Sequence, residues 1–411
     1  MTQQDRRALV VGLGIAGIAT AIGLRRAGWE PVVVERSPER RTGGYFVGIF
    51  PDGKTALADL GATDNLHVRN PVDGKDWTVS RSGRARPGAG FLDRPGGPYA
   101  VVRGDIEDAL WRTLDDLGGA EVRFGTRPVG IEQTPDAARV RLLHEPTGAE
   151  SVEEFALVVG ADGVRSGVRR LAFGPDEDYL DQWAAIICAF ELDEQVPGLG
   201  PEDGSIDARS RRAAWVFGFA DRTPTALLTY RTQDVDAQFT RPPAETLREV
   251  YAGMDHPSVA HVLDQLEKAP HFLFDSVNQV KMPSWRSGRV VLVGDAAWCL
   301  NLYSGMGSSM AMRGGADLGQ ALREHPEDLH AALAAWEAGL RPTITGHQRR
   351  ARLMQQLFVP SGPVAERVRA VVLAGLGAVG RLTNRKTARG AEAGGTPAGG
   401  AKATADAGAG R

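Results

Sequence analysis

The sequence predicts an α/β protein with a parallel sheet covered by helices, an inserted and mostly antiparallel β-sheet, and C-terminal helices. Near the N-terminus, a buried strand, a glycine-rich turn, a helix and a second strand follow one another, which is typical of a parallel sheet. Strand-like segments rich in aromatic and β-branched residues fill residues 183–281. Residues 324–357 then alternate Ala, Leu and charged residues at helical period, with helix breaks predicted near Pro326 and Pro342.

Composition and charge exclude several classes of function. The chain has 411 residues, 42% of them apolar and 24% charged, which is ordinary for a globular protein and excludes a fibrous one. Lys and Arg number 48 against 51 Asp and Glu, so charge gives no case for a nucleic acid partner. Two cysteines, Cys188 and Cys299, are too few for a disulfide framework, which favours a cytoplasmic protein. The 8 histidines show no metal-ligand spacing, so we predict no metal.

The longest uncharged segment, residues 8–24, is near the lower length limit for a membrane-spanning helix. It contains Gly12, Gly14, Gly17 and Gly23, and it divides into a strand-like piece and a helix-like piece. We therefore predict no stable membrane insertion.

The same segment carries the first functional motif. A strand over residues 8–11 precedes the pattern Gly-x-Gly-x-x-Gly, a helix to Arg26 and a second strand that ends at Glu35. Gly12 would allow a tight turn, Gly14 close approach of a pyrophosphate, and Gly17 close packing of helix on strand. The helix N-terminus offers N–H groups to phosphates, and Glu35 would accept hydrogen bonds from ribose. This arrangement predicts a Rossmann-like, dinucleotide-binding domain.

A second match to the same pattern, Gly375 to Gly380, is predicted to have no such function. It follows an apolar segment, but neither a second strand nor a placed acidic residue comes after it. We interpret it as a helix rich in small residues that packs on the body of the protein.

Two further motifs follow predicted strands. Asp162-Gly163-x-x-Ser166-x-x-Arg169 comes after an apolar strand and leads into a basic helix, an arrangement that an ordinary strand–turn–helix can also show. The third motif begins with Gly294-Asp295 at a strand end, where the carboxylate can meet sugar or ribityl hydroxyls. A turn over residues 304–307 then opens a helix whose small residues allow close approach of a flat ligand.

Together the three motifs, over residues 8–320, resemble the single-component FAD-dependent aromatic hydroxylases, the p-hydroxybenzoate hydroxylase-like flavoprotein monooxygenases. Arg103, at a predicted helix start, is similar to an arginine of that family near FAD, although it can also be a solvated cation or salt-bridge partner. The sequence departs from the family pattern at Trp298, where His is usual, and at Leu302, where Pro is usual. The resemblance implies the following FAD-binding residues: Gly12, Gly14, Ala16, Gly17, Glu35, Arg36, Arg103, Asp162, Asp295, Gly305, Met306 and Gly307.

The family also implies a reaction. NADPH or NADH would reduce FAD, O₂ would add at C4a, and the resulting hydroperoxide would hydroxylate an aromatic or polycyclic small molecule, for example one of polyketide type. Asp162, Arg165 and Arg169 would contribute to transient binding of the nicotinamide nucleotide. The alternatives are a flavoenzyme of the same fold with other chemistry (Baeyer–Villiger oxygenase, halogenase or reductase) and a non-catalytic FAD-binding protein. The sequence lacks the Trp-x-Trp-x-Ile-Pro segment associated with flavin halogenases, which disfavours that branch.

Such chemistry needs a pocket that excludes water, and aromatic residues are candidates for lining it. Trp215, Phe217 and Phe219 share one strand face, but an aromatic stripe is also typical of a core. The candidates for the pocket are Tyr45, Phe46, Trp215, Phe217, Phe219 and Tyr230.

The predicted domain division is discontinuous. Residues 1–73, 100–180 and 282–330 form the FAD-binding domain, 74–99 and 181–281 the substrate domain, 331–384 the C-terminal helices, and 385–411 a disordered tail. The tail is rich in Ala and Gly and cannot bury enough apolar surface to order itself. We expect the protein to be a monomer or a homodimer.

Overall fold

The computed structural model describes residues 6–40, 43–88, 90 and 96–372. Its strands are β1 (Arg7–Val11), β2 (Glu30–Val34), β3 (Phe46–Ile49), β4 (Asp76–Val79), β5 (Ala85–Pro87), β6 (Tyr99–Val102), β7 (Glu121–Arg123), β8 (Thr126–Gln133), β9 (Ala138–His144), β10 (Ala149–Phe155), β11 (Leu157–Gly160), β12 (Leu180–Glu191), β13 (Gly204–Arg209), β14 (Arg212–Phe217), β15 (Thr225–Arg231), β16 (Leu273–Val280), β17 (Arg286–Ser287) and β18 (Val290–Leu292). Its helices are α1 (Ile15–Arg26), α2 (Pro51–Asp59), α3 (Arg103–Asp116), α4 (Gly167–Ala172), α5 (Pro243–Tyr251), α6 (Pro257–Lys268), α7 (Asp295–Trp298), α8 (Gly307–Glu324) and α9 (Leu329–Phe358).

A six-stranded sheet in the order β17-β18-β11-β1-β2-β7 forms the first layer. All neighbours run parallel except β17, which is antiparallel to β18. Val11 at the end of β1 is level with Val34 on β2 and Gly160 on β11. The carboxyl ends of these strands therefore meet at one edge of the sheet, the usual ligand edge of an open α/β fold, and all three motifs begin there.

Helices α1 and α8 pack closely against each other through glycines. A Cβ atom on Gly319 would lie 2.4 Å from the carbonyl oxygen of Gly23, and one on Gly315 would lie 2.5 Å from the backbone of Ala19. Only glycine fits at these positions, because the neighbouring atoms are backbone. Since Ala19 is opposite Gly315 and Gly23 is opposite Gly319, the helices run in the same direction and their N-termini face the same side.

A seven-stranded sheet in the order β16-β12-β15-β14-β13-β4-β5 forms the second unit. Every neighbouring pair is antiparallel except β13 and β4, which run parallel. Strands β4 and β5 thus lie in the same sheet as the strands of residues 180–280. One face of this sheet packs on α5 and α6, and the opposite face packs on Tyr303 and the end of α9. The predicted fold class, a Rossmann-like domain with a mostly antiparallel inserted sheet and C-terminal helices, is confirmed.

Two smaller sheets were not predicted from the sequence. Strands β8, β9 and β10 form an antiparallel meander, and β3 pairs with β6. The β3–β6 pair determines the position of two predicted site residues, because the backbone N–H of Arg103 donates to the carbonyl oxygen of Tyr45 over 3.1 Å.

The predicted helix break at Pro342 is wrong. Helix α9 is continuous over 30 residues and contains Pro342 in its interior. Proline removes one backbone donor, but a helix packed along most of its length tolerates the loss of a single hydrogen bond. Residues 363–372 form a further helical segment, whereas Gly375 to Gly380 and residues 385–411 lie outside the described residues. In the part of the chain that the structure describes, no helix is long and apolar enough to cross a bilayer.

Candidate cofactor and substrate site

The first glycine motif forms the turn that its spacing predicts. Gly12 has φ +104°, and a Cβ atom there would lie 2.5 Å from the carbonyl oxygen of Ala161. A Cβ atom on Gly17 would lie 1.8 Å from the carbonyl oxygen of Gly12. The turn therefore requires glycine at both positions for packing, whatever ligand it holds. Gly14 is the residue before the first turn of α1, which contains no acidic side chain. No carboxylate within that first turn therefore competes for the N–H groups at this end of the helix.

Glu35 links the end of β2 to this glycine turn. One carboxylate oxygen accepts a hydrogen bond from the backbone N–H of Leu13 over 2.9 Å, and the other accepts from Ser37 over 2.9 Å. The side chain is only partly buried, so lone pairs are still available to a sugar hydroxyl. Arg36, the next residue, is exposed at the same edge.

Arg103 lies beside the N-terminus of α1. A Cβ atom on Gly14 would lie 3.2 Å from a terminal guanidinium nitrogen of Arg103, and that guanidinium also pairs with Glu107 at 2.9 Å. Burial alone would lower the pKa of Arg103, but Glu107 and the hydroxyl of Tyr45 raise it above its usual range. A permanent positive charge therefore reinforces the helix N-terminus where a pyrophosphate is expected.

Asp295 begins α7 directly after β18 and Gly294. Part of this residue reaches solvent, while protein atoms surround its carboxyl group. Burial raises the pKa of the Asp295 carboxyl, and the charge of Arg103 lowers it in part. A Cβ atom on Gly294 would lie 2.7 Å from that of Ala16, so the third motif packs directly on the first.

The second motif is largely engaged within the protein. The Asp162 carboxylate accepts hydrogen bonds from the Ser166 hydroxyl at 2.5 Å, and from the backbone N–H groups of Gly167 and Val168 at 2.7 and 3.1 Å. Burial raises the pKa of Asp162 despite these donors. Its visible function is to hold the start of α4, and a contact with the cofactor stays a prediction.

Arg169 does not fit the expected contribution to nicotinamide binding. Its side chain is fully buried, donates to the carbonyl oxygens of Val164 and Ala296 at 2.6 and 2.9 Å, and pairs with Asp176 at 2.5 Å. It offers no exposed N–H to a visiting molecule. Arg165 is exposed and forms a two-point ion pair with Asp275, with distances of 2.8 and 2.5 Å.

The turn before α8 contains a left-handed glycine that lies close to an aromatic ring. Gly305 is in the left-handed region with φ +67°, and a Cβ atom there would lie 3.3 Å from the ring of Phe50. Met306 is the residue before the helix, Gly307 is its first residue, and a Cβ atom on Gly307 would contact nothing within 4 Å. The first turn of α8 contains no acidic side chain. The positive end of the helix dipole therefore lies here with open space beside Gly307.

Trp298, which departs from the family pattern, belongs to the core. Its ring is 1% exposed and lies 4.6 Å from that of Trp285 and 6.0 Å from that of Trp336, centroid to centroid. Trp336 is on α9, so this cluster packs α9 against the part of the protein that contains the six-stranded sheet. The side chain thus replaces histidine without entering the cofactor cleft.

Three of the predicted pocket residues form an aromatic row on one face of the second sheet. The rings of Phe46 and Phe217 stack at 4.1 Å, and Trp215 continues the row at 5.9 Å from Phe217. Phe358 of α9 extends it at 4.8 Å from Trp215. Phe46 and Phe217 are partly exposed, whereas Phe219 is buried behind Phe46 at 6.0 Å.

Tyr230 does not lie with the other candidates for the pocket. Its ring packs in the cluster against α5 and α6, on the opposite face of the sheet from Trp215, and its hydroxyl donates to Gln238 at 2.8 Å. The strand register explains the position of Tyr230. Trp215 pairs with Leu227, and because side chains alternate along β15, Tyr230 faces away from Trp215.

Several residues at the site were not found by sequence reasoning. Glu107 follows Arg103 by four positions on α3, a spacing that predicts an ion pair. Phe50, Tyr303 and Phe358 carried no comparable signal, because their contacts join segments far apart in the chain.

The groups at this edge fit FAD. Two helix N-termini without acidic first turns suit phosphates and the electron-rich edge of a flavin, and Glu35 and Asp295 suit sugar and ribityl hydroxyls. The positive charge of Arg103 lies close to Gly14 of the first motif and within electrostatic range of Asp295 of the third. Within the described residues, no group of three or more His, Cys, Asp or Glu side chains could hold a metal ion.

Comparison with known proteins agrees with this geometry. Residues 5–329 match the family described as FAD binding domain. A flavin-dependent monooxygenase of Legionella longbeachae serogroup 1 (strain NSW150) is 26% identical over 373 residues, which cover 88% of this chain and 91% of that protein. The 6-hydroxynicotinate 3-monooxygenase of Pseudomonas fluorescens is 28% identical over 364 residues, covering 84% and 90%. The crystal structure of the tetracycline destructase Tet(55) shares the fold, with a TM-score of 0.74, 24% identity and coverage of 92% and 97%.

The fold and the three motifs thus define an FAD-dependent oxidoreductase. More specifically, the chain belongs to the FAD-binding family of single-component, p-hydroxybenzoate hydroxylase-like flavoprotein monooxygenases. The resemblance inferred from the motifs is confirmed, and FAD is the cofactor.

Proposed function

We propose that the protein uses NADPH or NADH and O₂ to hydroxylate an aromatic or polycyclic small molecule. The observation that carries this proposal is the partly exposed aromatic row of Phe46 and Phe217, on the sheet face that also packs against Tyr303 beside the turn before α8. An aromatic wall suits a flat, electron-rich substrate, and a flavin held at that turn would be close to it. Polyketide-type compounds are one class with these properties.

The protein would contribute binding, orientation and exclusion of water. When bound, FAD supplies the redox chemistry, and the hydroperoxide route implied by the family is the one we propose. The N–H groups at the start of α8 would stabilise negative charge on the adjacent flavin edge. Phe46, Phe217 and Trp215 would exclude water from the reacting face. The indole N–H of Trp215 is buried and has no hydrogen-bond partner within the described residues, so it would donate to a substrate oxygen.

The nicotinamide nucleotide would bind transiently at the cleft edge. Arg165 is the exposed cation of the second motif and forms its ion pair with Asp275. We propose that Arg165 contacts the nucleotide and that Arg169, being buried, does not. The two cysteines are free and buried, which fits the cytoplasmic location that we propose. A monomer or homodimer stays a prediction.

Two measurements test the function. The purified protein should show flavin absorbance and should oxidise NADPH or NADH slowly in air. Aromatic probes, with 6-hydroxynicotinate and tetracycline as the first two, are then scored for accelerated oxidation and for the ratio of oxygenated product to hydrogen peroxide. Stimulated oxidation with little peroxide supports a hydroxylase. Ring expansion, halide incorporation or oxidation without oxygen transfer would instead assign the alternative chemistries, and a yellow protein inert to both nucleotides would be a binding protein.

A further inference from the structure

Tyr303 lies two residues before Gly305, in the turn that precedes α8. Its side chain is fully buried, and its hydroxyl forms a hydrogen bond with the hydroxyl of Thr229 on β15 over 2.9 Å. The ring of Tyr303 also lies 5.9 Å from that of Phe358 at the end of α9, centroid to centroid. The side chain of Tyr303 therefore joins the turn, the seven-stranded sheet and helix α9.

The turn itself is closely cross-linked. Asn301 adopts φ +60°, which is unusual for a residue other than glycine, and its side-chain oxygen accepts from the backbone N–H of Tyr303 over 3.0 Å. The Ser304 hydroxyl donates to the carbonyl oxygen of Asn301 at 2.9 Å and accepts from the N–H of Met306 at 3.1 Å. Gly305 closes the turn with a 3.0 Å bond to the carbonyl oxygen of Leu302. Because these bonds make one unit, a displacement of Tyr303 would be transmitted to Met306 and the start of α8.

The ring of Tyr303 also contacts the aromatic wall. It lies 6.2 Å from the ring of Trp183 on β12 and 5.9 Å from that of Phe358, which packs on Trp215. Tyr303 therefore connects the aromatic row to the turn before α8.

We propose that Tyr303 is a positioning residue that holds the N–H groups at the start of α8 in the orientation that stabilises reduced flavin. The inference rests on the FAD site described above and does not depend on the identity of the substrate. Reduced flavin carries negative charge at the edge that faces this helix end, so a loosened turn penalises the reduced form more than the oxidised form.

A merely structural role would give a different result, and the chain contains a matched control. Tyr251 on α5 is also almost fully buried, and its hydroxyl shares its one hydrogen between the backbone carbonyl oxygens of Ala213 and Thr229, at 2.7 and 3.0 Å. It bonds to the same residue of β15 as Tyr303 does, but from the opposite face of the sheet. Tyr251→Phe removes an equivalent buried hydroxyl without touching the turn.

The experiment compares the FAD-loaded wild type, Tyr303→Phe and Tyr251→Phe by flavin midpoint potential, flavin fluorescence and thermal unfolding. We expect Tyr303→Phe to weaken binding of reduced relative to oxidised FAD about three- to tenfold, where tenfold corresponds to about 30 mV for a two-electron couple. Tyr251→Phe should lower the melting temperature without changing that ratio. Thr229→Val should shift the flavin midpoint potential as Tyr303→Phe does. Thr229→Ser keeps the hydroxyl and should have the potential of the wild type. Burial raises the pKa of Tyr303, so the shift should be the same at about pH 7 and about pH 9.

Equal potentials in Tyr303→Phe and wild type, or equal shifts in both tyrosine variants, would overturn the inference. A wild type that binds no FAD would overturn the site together with the inference. A yellow wild type with the expected shift that never hydroxylates an aromatic probe would overturn only the proposed function.

Discussion

The guanidinium of Arg169 donates a hydrogen bond to the carbonyl oxygen of Ala296 over 2.9 Å, across 127 positions of sequence. Arg169 closes the second motif, and Ala296 directly follows Asp295 in the third. The bond therefore holds the start of α7 against α4, at the sheet edge where β11 and β18 end. The second motif thus acts on the cofactor site by fixing the position of the third.

Replacement of Arg169 should destabilise the protein and weaken FAD binding together. Arg169→Gln leaves the carbonyl oxygens of Val164 and Ala296 without their guanidinium donor, and Arg170 becomes the remaining cation beside Asp176. We expect the free energy of unfolding to fall by about 3 kcal/mol, because buried acceptors lose their partners and a buried ion pair loses one member. Urea denaturation measures this, and FAD titration of the folded fraction measures the second effect. Arg170→Gln is the control, since Arg170 is exposed, pairs with the same Asp176 and should contribute less than about 1 kcal/mol.

Glu35 should contribute to FAD affinity more than to stability. Its two carboxylate oxygens already accept from Leu13 and Ser37, so the charge is held at the sheet edge before any ribose arrives. Glu35→Gln should raise the dissociation constant for FAD about ten- to hundredfold, the range for loss of hydrogen bonds to a charged acceptor. Fluorescence titration of the apoprotein measures it. Glu39→Gln, on an exposed residue just beyond β2, should leave the constant unchanged. Equal constants for wild type and Glu35→Gln would remove Glu35 from the site.

Asp295 should make the unfolding free energy of the apoprotein depend on pH. Burial raises its pKa in the folded state above the ordinary value of 3.8. The unfolded chain then loses this proton at lower pH than the folded chain does, so the folded state is penalised progressively as pH rises from 3.8 through the raised pKa. Asp295→Asn carries no such charge. The unfolding free energy of apo Asp295→Asn should therefore exceed that of wild type at about pH 7, and this advantage should shrink towards about pH 4.

Bound FAD should reverse this order of stability and make the wild type more stable than Asp295→Asn. The variant keeps one acceptor but loses the charge and half of the acceptor capacity, so FAD should stabilise it less than it stabilises the wild type. Thermal unfolding at several pH values, with and without FAD, measures both effects. A pH-independent difference in the apoprotein would contradict the raised pKa.

Local spacing predicted the parts of the site that strand ends create. Gly12 and Glu35 directly follow a buried strand, and Asp295 comes shortly after one. Because parallel strands bring their carboxyl ends together, chain order alone placed these residues at one edge. The sequence could not separate Tyr230 from the other pocket candidates, because the pairing of β14 with β15 determines which side chains face Trp215, and a single sequence does not contain that register. Tyr303 and Thr229 could not be paired from sequence for the same reason, since 74 positions separate them.

Trp298→His, which restores the residue usual in the family, should destabilise this protein. The ring of Trp298 is buried against Trp285 and Trp336, and a Cβ atom on Gly314 would lie 2.8 Å from it, so the surrounding packing is shaped to the indole. Histidine is smaller and would bury two ring nitrogens in an apolar cluster. We expect a loss of about 3 kcal/mol in unfolding free energy from lost aromatic area and unmet hydrogen bonds.

The absorbance spectrum of bound FAD should not change in Trp298→His. Because the Trp298 side chain points into the tryptophan cluster that anchors α9, the absorbance maxima of bound FAD in folded Trp298→His should match those of the wild type. Trp298→Phe retains an apolar ring, so its stability should fall between the two. A shifted flavin spectrum with undiminished stability would show that position 298 acts on the cofactor, as a cleft residue would, and would contradict its assignment to the core.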